Sequence, residues 1–467
     1  MNFNSSEFAL FLPLVLLLYT AIFHHERLRD GLLLIASYVF YIAWYWQYAG
    51  LIAFSTCIDY FVGRRMAAEN RKNIRRLLLM ISLTVNLGLL AIFKYFNFFV
   101  ETTKAATAAI GIDIPLLHHD LLLPVGISFY TFQTLSYTID IYRGRINHEN
   151  NFVKFSVFVS FFPQLVAGPI VRAADFLPQI NRTPQVSQQQ FNLGLTLVFI
   201  GLFKKIVIAD MLAKLGVDRI FSEPTAYSTW DLLMALYAYT FQIYCDFSGY
   251  SDIAIGVAAM FGFVLPQNFN RPYLAQNVRE FWTRWHISLS TWLRDYLYIS
   301  LGGNRGTKTR VAFNLMITML LGGLWHGASM NFILWGGYHG ILLVLSRQAD
   351  KTPGETKFSS KLLRQVTTFH LIVFSWLLFR VTDMQNFIDY THSFSQMRFS
   401  TQLNPLFYAI LLLAIFMHVI PKKFIAFFIN KLFNQQPVFL QAGVYAFLIL
   451  IYLGLTLTAP SFIYFQF

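Results

Sequence analysis

Eleven apolar runs divide the 467-residue chain, at 8–23, 32–62, 77–99, 121–142, 152–170, 191–209, 231–264, 312–345, 366–380, 405–420 and 438–460. A helix that crosses a bilayer needs about 20 apolar residues. Several runs are long enough for two passes and others are interrupted by Pro or Gly. The pattern therefore predicts an all-α polytopic membrane protein of about 10–13 helices. Only 13% of the residues are charged, about half the proportion of a soluble chain, which leaves too little polar surface for water to be the solvent. The first run has no basic stretch before it and no small-x-small cleavage site after it, so it reads as a retained span rather than a signal peptide. Cys57 and Cys245 lie far apart in apolar stretches and supply neither a disulfide framework nor a metal site.

Lysine and arginine outnumber aspartate and glutamate by 36 to 23, a formal net charge of +13. The surplus is dispersed and no nucleic-acid motif accompanies it. In a membrane protein such a surplus marks cytoplasmic loops and suits anionic lipid head groups. Arg27 and Arg29 follow the first run, and 64–76 holds Arg64, Arg65, Arg71, Lys72, Arg75 and Arg76 against Glu69. With both segments inside, the run between them crosses twice, turns outside near Trp46–Gly50, and puts the N-terminus on the outer, periplasmic face. Segment 101–120, with one Lys against three acids, then falls outside, while Arg143, Arg145 and the basic segments 265–311 and 346–365 fall inside. No internal repeat or low-complexity linker interrupts the chain, so residues 1–467 read as a single integral-membrane domain.

Two segments carry chemistry. The first, Asn268 to Tyr298, is too polar to span and too aromatic for a solvated loop. As a helix it would place Trp282, His286, Leu289 and Leu293 on one face. It reads either as an interfacial amphipathic helix or as a cytoplasmic rim with a recruited histidine. The second, Gly322-Gly323-Leu324-Trp325-His326-Gly327, puts a histidine deep in an apolar run, where an ionisable group is costly unless paired or functional. Small residues on both sides admit a close neighbour. His326 is thus a catalytic candidate or a hydrogen-bonded packing residue. His339, 13 residues on, would lie about 20 Å away along a continuous helix and reads as structural. Stretches 162–169 and 321–327 read badly as plain helices, and broken backbone at membrane depth needs surrounding protein or a wet cavity. Asp246 and Asp252 either line a polar path or form a structural cluster.

The run Phe281-Trp282-x-Arg284-Trp285-His286-Ile287-Ser288-Leu289-Ser290-Thr291-Trp292-Leu293-Arg294-Asp295-Tyr296, followed by Trp325-His326-Gly327, resembles the MBOAT (membrane-bound O-acyltransferase) superfamily. Within it, the match is to the bacterial AlgI/PatA-like branch that O-acetylates alginate and peptidoglycan. Residues 123–132, 166–170 and 244–252 match as well. The resemblance implies an MBOAT fold with re-entrant and interfacial segments around a central funnel or tunnel, in a bacterial inner membrane. It implies His326 as the membrane-embedded catalytic histidine and His286 as its polar partner. Acetyl-CoA (or an acyl carrier) would be the cytoplasmic donor and a polysaccharide the acceptor, with no further cofactor and no nucleic acid. A separate periplasmic SGNH-type acetyltransferase would complete the transfer, because no Ser-Asp-His hydrolase domain is visible. Arg279, Arg284, Arg294 and Arg305, with Trp285 and Trp325, would meet the donor, although topology alone accounts for such charges equally well.

Acyl transfer from a thioester to a hydroxyl needs a base at the hydroxyl and stabilisation of an oxyanion. His326 fits the base, with a transient acyl-histidine as the alternative. The tail 459–467 is either an aromatic interface anchor or a relay. Phe462-x-Tyr464-x-x-Phe467 resembles the motif of the small peptide that serves the D-alanylating MBOAT branch, which would make Tyr464 an acyl carrier. Two rivals remain: D-alanyl transfer from an acyl carrier, and a transporter or flippase, for which the expected pseudo-symmetric repeat is missing from the sequence.

Overall fold

The computed structural model describes residues 1–112, 114–115, 122–349, 358–381, 383–421, 423–424, 436–437, 439–440 and 443. Among them there is no strand, and eleven helices have fifteen or more residues, within the range set by the apolar runs. They fall into two compact units.

The first unit comprises Glu7–Ser187 with Ala258–Leu265. Its long helices are Ser6–Ile22, Glu26–Ile42, Ala49–Ala67, Lys72–Leu90 and Ile127–Tyr142. Run 32–62 does form two helices, joined at Trp46–Tyr48. Lys72–Leu90 continues through a π-turn at Ala91–Tyr95 into Phe96–Ala108. Ala49–Ala67, Lys72–Leu90 and Ile127–Tyr142 pack around a polar core. Asp59 accepts from Ser82 Oγ at 2.6 Å and from Asn86 Nδ2 at 2.9 Å, and Ser55 donates to Asn86 Oδ1 at 2.6 Å. Each such bond contributes about 0.5–1.5 kcal/mol, and together they fix the rotation of three helices. Stretch 162–169 breaks as expected. A four-residue helix, Phe162–Leu165, gives way to irregular backbone, and every residue from Phe161 to Ile170 is buried. Gly126 permits this packing: its φ is +78°, and a Cβ there would sit 2.6 Å from the Leu165 carbonyl oxygen.

The second unit comprises Gln188–Val257 and the chain from Pro266 onward. Its long helices are Gln188–Leu202, Thr229–Met260, Lys308–His326, Met330–Ala349, Phe358–Arg380 and Pro405–Val419. The first two cross on glycine. A Cβ on Gly201 would lie 2.4 Å from the Gly249 carbonyl oxygen, and one on Gly256 would lie 2.4 Å from that of Gly194. Beyond Leu202 the helix widens into a π-turn at Phe203–Asp210, a distortion that recurs at functional sites. By length and composition, two helices among the described residues suffice to cross a bilayer, Lys72–Ala108 and Ser359–Arg380. Others are shorter or carry buried polar residues, as Ile127–Tyr142 does with Gln133, Thr134 and Asp140. The exterior is apolar: Leu10, Leu17, Leu412 and Phe416 are each more than 60% exposed, which suits a lipid solvent.

One expectation fails here. Residues 321–326 are regular helix, and the backbone leaves it only at Gly327. Gly322 and Gly323 do not break the helix because they serve contact: a Cβ on Gly323 would lie 2.1 Å from the Phe332 carbonyl oxygen, and one on Gly336 would lie 2.3 Å from that of Met319. The two helices of this hairpin touch backbone to backbone.

Candidate active site

The segment after Pro266 is folded back on itself, not laid out as one helix. Val278–Arg284 ends at Trp285, His286 takes a left-handed conformation (φ 42°, ψ 55°), and a new helix runs Ile287–Trp292. The shared face expected for Trp282, His286, Leu289 and Leu293 is therefore lost at the His286 turn. What holds the turn is Asn268. Its carbonyl accepts the Ile287 N–H at 2.9 Å, and its Oδ1 accepts from the Ser288 N–H at 3.2 Å and the Ser288 hydroxyl at 2.9 Å. A backbone N–H is an obligatory donor, so this atom of the amide is the oxygen. The same Oδ1 lies 3.2 Å from His286 Nδ1. Nδ1 must then carry the proton, and in the neutral ring Nε2 is an acceptor. His286 is fully buried, with Phe247 edge-on at 4.6 Å.

His326 is the last residue of its helix and is buried at 5% exposure. Trp325, Trp335 and Phe379 surround it, with ring centroids at 5.0, 5.1 and 5.4 Å. The Trp325 ring also lies 6.1 Å from that of His286, so one indole packs against both candidate histidines. The hairpin corrects the distance expected for His339. The chain turns at Gly327 and returns, and Trp335 packs against His326 at 5.1 Å and against His339 at 4.7 Å. The 20 Å separation presumed a helix that continues. Trp285 is buried elsewhere in the cluster, against Trp376 at 4.8 Å and Phe269 at 5.0 Å.

The arginines are less convergent. Arg284 is bonded twice to Glu280 Oε1, at 2.6 and 3.0 Å, and Arg294 grips both oxygens of Asp295. Arg279 and Arg305 are exposed. Tyr464 lies outside the described residues. Asp246 belongs to an ion cluster: Lys205 Nζ is 2.7 Å from both Asp210 and Asp246, all three at most 5% exposed, and Lys204 meets Asp252 at 2.6 Å. The two carboxylates are each paired to a lysine, Asp246 to Lys205 and Asp252 to Lys204. Lys204 and Lys205 carried a signal that the reading passed over, as two adjacent ionisable residues at the end of an apolar run. His418 did too; its Nε2 accepts the Tyr273 N–H at 3.2 Å. Tyr273 and His418 line an apolar cavity of about 520 Å³ with Tyr237, Phe241 and Phe369, apart from the two candidate histidines. Among the described residues, no three of His, Cys, Asp and Glu converge as a metal would require.

The arrangement offers a buried imidazole, a second imidazole of fixed tautomer and a buried aromatic wall. Comparison with known proteins bears on its use. The sequence profile of the membrane-bound O-acyltransferase family matches residues 145–378. A probable alginate O-acetylase AlgI of Azotobacter vinelandii is 45% identical over 390 residues, covering 82% of this chain and 76% of that protein. The peptidoglycan O-acetyltransferase of Helicobacter pylori is 38% identical over 381 residues, covering 76% and 71%. A teichoic acid D-alanyltransferase of Bacillus subtilis is 28% identical over 275 residues, covering 56% and 69%.

Proposed function

The chain belongs to the membrane-bound O-acyltransferase family, and from that premise we propose that it carries acetyl groups from acetyl-CoA on the cytoplasmic side of an inner membrane to hydroxyls of an extracytoplasmic polysaccharide. The greater likeness to polysaccharide O-acetylases than to a D-alanyltransferase supports acetyl as the cargo. The basic segments 64–76 and 265–311 face the cytoplasm in this reading, and donor enters there. A separate SGNH-type enzyme on the outer face completes the transfer to the polymer.

The observation that supports the reading is the contact of the Trp325 indole with both His326 and His286. His326 removes the proton of the attacking hydroxyl. His286, held in the Nδ1–H tautomer by Asn268, offers an acceptor nitrogen that orients an N–H or O–H of a substrate. It does not polarise the thioester carbonyl, which requires a hydrogen-bond donor. Membrane vesicles supplied with radiolabelled acetyl-CoA test the reading against an aminoacyl carrier protein. Label is expected to move from acetyl-CoA alone, and His326→Ala is expected to abolish transfer at normal expression. Transfer that survives in that variant removes the mechanism.

A further inference from the structure

Resting on the acyl-transfer reading above, we propose that the indole N–H of Trp335 is the hydrogen-bond donor that stabilises the oxyanion formed from the thioester carbonyl. The reaction needs such a donor, and in neutral His286, with Nδ1–H held by Asn268, the other ring nitrogen is an acceptor. Trp335 is 1% exposed, and its ring stands edge-on to His326 at 5.1 Å. Its Nε1 is buried and has no hydrogen-bond partner among the described residues. The same holds for Trp282 Nε1 and for both ring nitrogens of His339, whose rings lie 5.8 and 4.7 Å from that of Trp335.

Buried polar groups are nearly always satisfied, and exceptions mark places that take water or a ligand. The hydroxyls of Tyr273, Tyr338 and Tyr390 in the same unit, by contrast, each donate to a backbone carbonyl. Trp282, Trp335 and His339 thus form one cluster of ring nitrogens without partners among the described residues. Of these three, Trp335 is the one in ring contact with His326. The backbone beside Trp335 is set by the close approach of Gly336 to Met319, and its ring packs against Trp282, His339, Trp376 and Phe379. An indole N–H does not change charge during the reaction, which suits it to an anion that forms and disappears.

In the step so assigned, the acceptor hydroxyl oxygen bonds to the thioester carbon and its proton passes to His326. The carbonyl π electrons move onto oxygen, where the Trp335 N–H meets them. They return as the C–S bond breaks, and the thiolate takes the proton from His326 to leave as the thiol.

The test is the kcat and KM for acetyl-CoA of Trp335→Phe, which keeps an aromatic ring and removes the N–H. Loss of one oxyanion donor lowers kcat by about 10²–10³, with KM expected to change by no more than about threefold. Replacing the Trp335 indole by 3-benzothienyl-alanine, which exchanges N–H for sulfur at constant shape, is expected to give the same loss and serves if the Phe variant does not accumulate. Full kcat in either form, or a rise in KM alone, overturns the assignment. If His326→Ala stays active, the acyl-transfer reading beneath it fails. If that variant is dead while the Trp335 variants turn over normally, only this inference fails.

Discussion

Replacing Gly323 by alanine tests whether the hairpin sets the geometry of the site. The added Cβ would stand 2.1 Å from the Phe332 carbonyl oxygen and 3.1 Å from Gly336 Cα, both parts of backbone that cannot rotate away. Ordinary contact starts near 3.4 Å, so the helices must separate by roughly 1.3 Å. His326 is one turn beyond Gly323 on one helix and Trp335 adjoins Gly336 on the other, so the separation falls between them. A misplacement of about 1 Å costs on the order of 10²-fold in rate, whereas overpacking of this kind costs about 1–3 kcal/mol and leaves the protein folded. The comparison is Gly337→Ala, whose Cβ meets only Leu320 Cδ2 at 3.5 Å. With acetyl-CoA and membrane vesicles, Gly323→Ala should accumulate normally and lose about two orders of magnitude in turnover, while Gly337→Ala stays near wild type. Turnover of Gly323→Ala within twofold of wild type, or equal damage in both variants, refutes the argument.

Lys205→Met strands two buried carboxylates and is expected to destabilise by about 3–5 kcal/mol, seen as a lower midpoint of thermal unfolding in detergent; adding Asp210→Asn and Asp246→Asn should restore most of the loss. Asn268→Leu leaves the Ser288 N–H without its acceptor, a cost of about 1–3 kcal/mol, and frees the His286 tautomer. Activity should fall with it, read as transfer at matched protein yield. Tyr464→Phe is expected to lower transfer at least tenfold if the tail relays acyl groups, and full activity would confine that tail to anchoring.

The helical class was legible in the sequence because apolar runs of span length admit few folds. The division of 32–62 into two helices was legible from loop charge, and the break at 162–169 from its prolines and glycine. The site was legible only as residue types. Periodicity put His286 on a straight helix because nothing in Trp285-His286-Ile287 announces a left-handed residue; the turn depends on Asn268, eighteen positions away. Likewise Gly322-Gly323 read as a helix break because local propensity disfavours glycine, while the contact that makes glycine necessary comes from Gly336 on the returning helix. The same return brings His339 and His326 onto one indole, which arithmetic along a single helix excludes. Long-range packing decided each case, and it leaves no local signature.

His286 occupies backbone space where a β-carbon costs about 1–2 kcal/mol. The buried ring offsets that cost through its bond to Asn268 and its packing on Phe247, and a glycine there would leave a cavity of the kind that costs about 2–5 kcal/mol. Position 286 is thus where the fold and turnover depend on the same side chain. A codon library scored for protein yield and the same library scored for product should both return histidine.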